Sequence, residues 1–227
     1  MTRPKTTIAD QLNAAQLAIN NSQADGEILA LVSGFGYSSV RLAEGCELYE
    51  RAQAAVQAQK LAAGAQKDAT QTLSDAKTAA IDAYQALAKV ARATCNPSQL
   101  TALGLSGKMP TDTAGFLAAA YTLFDNAAQI GPLSDFGYTA EKLTAERGRI
   151  TAYDEANKQQ EAAKGAAQQS TREQDAALKT LNEWMAQYLK IAKVALREKP
   201  QLLEKLGIAA RTSLTAAQRA ARQKPEE

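Results

Sequence analysis

The chain repeats itself. Phe35-Gly36-Tyr37-Ser38 recurs as Phe136-Gly137-Tyr138-Thr139, 101 positions further on, and Gly64 recurs as Gly165 at the same offset. Beyond that point the spacing changes. Tyr84 and Lys89-Val90-Ala91 recur as Tyr188 and Lys193-Val194-Ala195 at an offset of 104, and Leu103-Gly104-Leu105 recurs as Leu206-Gly207-Ile208 at 103. An internal duplication of this length means that whatever one copy folds into, the other folds into as well.

What the copies fold into follows from periodicity. Leu73, Ala76, Ala80, Tyr84, Leu87 and Ala91 fall at spacings of three and four, as do Leu178, Leu181, Met185, Tyr188, Ile191 and Ala195. Both are one face of an α-helix. Ala supplies much of the apolar count and aromatics are only 5% of residues, so helices approach closely over small side chains. The expected fold is all-α, an antiparallel helical bundle built from two tandem copies of a long α-hairpin.

The change of offset falls between Gly64 and Tyr84, so about three residues are inserted in that part of the second copy. In a continuous helix such an insertion turns everything after it by roughly 300°; in a loop it costs little. Gly64 and Gly165 therefore read as hairpin turns. The first repeat is expected over 1–107, with helices near 6–21, 38–63 and 68–95. The second is expected over 108–208, with helices near 113–128, 139–164 and 170–198, and a polar C-terminal tail occupies 209–227. Each hairpin is preceded by a shorter helix and followed by a short capping helix that opens at Pro97 or Pro200. Both repeats are expected to pack as one bundle.

Hydrophobicity is uneven along the hairpins. Residues 153–177 contain no Leu, Ile, Val, Phe or Met. With only methyl groups to bury, such a stretch gains little at ~25 cal/mol per Å², although its helix propensity stays high. A firm base and a weakly held tip are expected for each hairpin.

The chemical inventory argues against catalysis. Histidine is absent, which removes the commonest general base and metal ligand. Cys46 and Cys95 form no metal-spaced motif, and the glycines at 34–36 lack the context of a phosphate loop. Carboxylate pairs such as Glu44 with Glu47 and Asp154 with Glu155 read as solvated helix faces. No cofactor, metal or catalytic residue is expected.

Lys+Arg number 26 against Asp+Glu 24, interleaved along the chain, so nucleic acid is not an expected partner. Arg211, Arg219, Arg222 and Lys224 form a basic tail. No window offers the ~20 apolar residues of a membrane span, and the N-terminus lacks an apolar leader core; the default compartment is the cytoplasm, with secretion open if a leader was removed.

Tyr37, Tyr84, Tyr138, Trp184 and Tyr188 are the residues expected to form the bundle base, as core or as a small cleft. The expected function is protein–protein association without catalysis, with a second copy of the chain as one partner. Two alternatives are a membrane-active helical protein and a carrier of a small apolar ligand at the bundle base.

Overall fold

The computed structural model describes residues 6–208. Among the described residues eight helices follow one another: α1 (Ile8–Ala24), α2 (Gly26–Ser33), α3 (Ser39–Thr94), α4 (Pro97–Ala102), α5 (Thr113–Ala127), α6 (Pro132–Asp135), α7 (Ala140–Ala195) and α8 (Pro200–Lys205). Among the described residues there is no strand. The fold class is all-α, as the periodicity predicts.

The hairpin turns are not present. Gly64 lies inside α3 and Gly165 inside α7, each a single helix of 56 residues. The four segments expected near 38–63, 68–95, 139–164 and 170–198 are thus two helices. The reason a three-residue insertion is tolerated within a helix lies in burial. From 53 to 79 no residue of α3 is buried, and from 157 to 177 only Ala167 and Gln174 of α7 are. Packing does not pin the helical phase across these stretches, so the two ends of each helix seat independently. The soft segment inferred from composition exists, but as the middle of a helix.

The chain divides into two compact units. The first takes Met1–Gln59 and Ser170–Glu227, of which 6–59 and 170–208 are described, and the second takes Lys60–Gln169. This division cuts across the repeat boundary at 107/108. Each unit combines the first part of one repeat with the second part of the other. Both long helices contribute one half to each core.

In the first unit, Ala15, Ala18 and Ile19 of α1, Ile28 and Val32 of α2, Leu42 of α3, Leu181 and Tyr188 of α7 and Leu202 of α8 share one core. Thr7 caps α1 through a reciprocal box with Asp10, and Asp25 caps α2. Lys205 donates to Asp25 at 2.7 Å and Lys199 pairs with Glu27, tying α8 to the start of α2. Asn21 Nδ2 donates to the Lys205 carbonyl at 2.5 Å, satisfying a group that the end of α8 leaves open.

The second unit repeats this plan. Ala80, Tyr84, Leu87 and Ala91 of α3 pack with Phe116, Leu123 and Phe124 of α5, Leu133 of α6 and Ile150 and Tyr153 of α7. Asn96 and Gln99 form a capping box at α4, with Pro97 in the first turn. Asp112 caps α5 by accepting from the Gly115 amide at 2.7 Å. Asn126 Nδ2 donates to the Ala102 carbonyl at 2.7 Å, closing the end of α4 as Asn21 closes α8.

The short helices α2 and α6 have no counterpart among the sequence-derived elements. They are too short for a helical period to show. The basic tail residues Arg211, Arg219, Arg222 and Lys224 lie outside the described residues.

Candidate functional site

The five aromatic residues singled out from the sequence divide between the units. In the first, Tyr37, Trp184 and Tyr188 form one ring cluster: Tyr37 meets Trp184 edge-on at 5.7 Å, Tyr188 is tilted at 4.9 Å, and Trp184 stacks on Tyr188 at 5.4 Å. In the second, Tyr84 packs on Phe116 at 5.5 Å, and Phe116 on Tyr153 at 5.9 Å. Tyr138 is buried with Lys142 4.3 Å above its ring. No single cleft collects all five.

These rings fill space against one another, and their polar atoms are handled unevenly. Ser22 Oγ donates to the Ala18 carbonyl at 2.6 Å and also bonds Tyr188 Oη. A hydroxyl has one proton, so Tyr188 is the donor to Ser22. The Tyr37 hydroxyl and Trp184 Nε1 are buried without a hydrogen-bond partner. Glu146 Oε2 likewise has no hydrogen bond but lies 3.2 Å from Arg149.

Burial raises the phenol pKa of Tyr37, Tyr84, Tyr138 and Tyr188 above its ordinary value. Arg41 opposes the rise at Tyr37, and Arg92 opposes it at Tyr84. The four phenols are therefore neutral donors at physiological pH, unsuited to acting as bases. Cys46 and Cys95 are free thiols; burial pushes the Cys46 thiol up, which keeps it in its less reactive form. Among the described residues no group of three or more His, Cys, Asp or Glu side chains could hold a metal ion. No described helix is long and apolar enough to cross a membrane.

Two exposed aromatic residues, Phe35 and Phe136, come from the same repeated motif; Val40, Leu61 and Val194 are exposed aliphatic residues outside it. The backbone at Gly36 and Gly137 is left-handed, with φ of 87° and 82°. Each glycine ends a helical turn with the following tyrosine amide bonded back to a carbonyl five residues earlier, Tyr37 to Val32 and Tyr138 to Leu133, the helix-terminating pattern that favours glycine. The turn sends Tyr inward and Phe outward. Tyr37 and Tyr138 are 1% and 6% exposed, whereas Phe35 and Phe136 are 50% and 59% exposed.

No family model, curated protein or solved structure matches this chain.

Beside Phe35 lies an open hollow of about 340 Å³, walled by Leu31, Phe35, Val194 and Ala195 and edged by Arg197, Glu198 and Lys199. Val194 is itself 50% exposed. An apolar floor with a charged rim is the layout of a protein-contact surface. Sequence reasoning fixed on the tyrosines of the motif and passed over its phenylalanines. The signal was there: the residue just before a left-handed glycine at a helix end cannot share the face of the residue just after it.

Proposed function

We propose that this is a non-catalytic helical protein that acts by protein–protein association, with a second copy of the chain as its partner. The observation that carries this reading is the duplicated exposure of Phe35 and Phe136. The chain has only four phenylalanines, and Phe116 and Phe124 are buried in the core. Holding the other two half in water, 50% and 59% exposed, forgoes about half of the ~1.5–3 kcal/mol of full burial each, a cost recovered when a partner covers them. Because the motif occurs once in each unit, every chain presents two such faces, and two faces per chain permit assembly to continue beyond a dimer.

Sedimentation velocity over a rising concentration series tests this. The native chain is expected to sediment faster as concentration rises, and the double variant Phe35→Ser/Phe136→Ser to remain monomeric with an unchanged circular dichroism spectrum. A native chain that stays monomeric at the highest concentrations, indistinguishable from the variant, overturns the reading.

A further inference from the structure

In the second unit, an open hollow of about 310 Å³ is lined by Tyr84, Gln85, Ala88, Lys89 and Arg92 of α3 together with Lys108 and Met109 of the segment that follows α4. Three cations converge there and no carboxylate lines it. The sequence around it has the same bias, since residues 83–111 contain Lys89, Arg92 and Lys108 and not one Asp or Glu. Elsewhere some cations are paired, Arg147 with Asp125, Lys158 with Asp154 and Lys205 with Asp25, while others such as Lys142, Lys190 and Lys193 are in no ion pair among the described residues. The hollow differs in gathering three on one apolar wall. Among the described residues Lys89, Arg92 and Lys108 make no ion pair.

Duplication accounts for part of this charge, since Lys89 and Lys108 have the basic counterparts Lys193 and Arg211 in sequence, but not for Arg92. At the offset of 104 the first unit keeps Tyr188 for Tyr84, Ala192 for Ala88 and Lys193 for Lys89, but has Leu189 for Gln85 and Leu196 for Arg92. Gln85 and Arg92 are particular to the first repeat. The hollow also has an apolar wall, made by the buried Tyr84 and Ala88 and the half-buried Met109. Arg92 stands close enough to the Tyr84 phenol to work against the effect of burial on it.

We propose that this hollow binds a small phosphomonoester, its phosphate held by Lys89, Arg92 and Lys108 and its organic part resting on Tyr84 and Met109. A phosphomonoester carries roughly −1.5 to −2 charge at neutral pH, which three unpaired cations match better than a single carboxylate would. Arg supplies a fork suited to two phosphate oxygens, and the lysines supply point charges. The volume lies at the small end of the range for ligand pockets.

The test titrates phenyl phosphate into the full chain and follows backbone amide shifts by NMR, with benzyl alcohol as the uncharged control. Saturable shifts are expected around 84–92 and 108–109, weakening as salt is raised. The variant Arg92→Gln/Lys108→Gln is expected to weaken binding by at least about tenfold while its thermal unfolding stays native. A second arm measures co-sedimentation with phosphatidylcholine vesicles containing phosphatidic acid. Charge-dependent binding lost in the variant identifies a lipid phosphate, and binding to phenyl phosphate alone identifies a free one. The proposal fails if neither probe binds saturably, if the double variant binds as the native chain does, or if benzyl alcohol binds as well as phenyl phosphate.

Discussion

Trp184 of α7 lies against the backbone of Gly45 in α3: a methyl group placed on Gly45 would come within 2.7 Å of Cζ2 and Cζ3 of the indole. The two residues belong to different repeats. Their counterparts reverse the sizes, with Ala80 at the position equivalent to Trp184 and Glu146 at that equivalent to Gly45. A first repeat closing on itself would set Gly45 with Ala80 and leave a void. A second repeat closing on itself would set Glu146 with Trp184 and overfill the site. Packing volume thus favours the exchange of halves between repeats that the two units display.

Substituting Gly45→Ala is expected to lower stability by about 1–2 kcal/mol. Overpacking costs ~1–3 kcal/mol, and the gain of replacing a mid-helix glycine, ~0.5–1 kcal/mol, offsets only part of it. Urea unfolding of the single variant measures the balance. Pairing it with Trp184→Ala should remove most of the penalty, because the clash then has no second partner.

Gly64→Ala and Gly165→Ala are expected to do the opposite. Both glycines lie within helices with nothing inside 4 Å of an added Cβ, so each substitution should raise stability by ~0.5–1 kcal/mol. A loss at either site would instead indicate a turn there. Thermal unfolding with far-UV circular dichroism distinguishes the two results.

At Gly36 and Gly137 the left-handed backbone decides the sign. Replacement by Ala places a Cβ at φ of 87° or 82°, a conformation costing ~1–2 kcal/mol for an L-residue. Each variant should be destabilised by about that amount in denaturant titration, and Asn in place of Ala should recover part of it.

Alkaline pH should destabilise the chain in one direction only. Tyr37, Tyr84, Tyr138 and Tyr188 have folded-state pKa values raised above the ordinary 10.0, with burial as the first cause. Between the unfolded and folded values the folded state holds more protons, so stability is fully present below about pH 10 and falls as pH rises through the raised values. Ultraviolet phenolate absorbance should show those four groups ionising together with loss of structure. Ser22→Ala, which strips the buried Tyr188 hydroxyl of its acceptor, is expected to cost ~1–3 kcal/mol at neutral pH.

Much of this was legible in the residues themselves. The all-α class follows from spacings of three and four in Leu178, Leu181, Met185 and Tyr188, and the helix starts follow from local capping at Asp112 and at Asn96 with Pro97. Of the five aromatic positions singled out from the sequence, Tyr37, Tyr84, Tyr138 and Tyr188 are buried and Trp184 is half-buried. Their grouping was not found. Ring contacts such as Tyr37 with Tyr188 join residues 151 positions apart, and no local pattern encodes which of two equivalent repeats supplies a partner.

The sequence by itself determined that helices form, where most of them begin, and that each copy carries the same turn at Gly36 or Gly137. These depend on interactions within a few residues: hydrogen bonds to caps, the period of the helix and the backbone freedom of glycine. Only the tertiary structure decided that α3 and α7 run through Gly64 and Gly165 without a turn and that each core draws on both repeats. Those outcomes rest on which surfaces fit at long range. An alanine-rich helix is equally content to continue or to bend back until side chains as distant as Trp184 and Gly45 settle where its two ends find complementary volume.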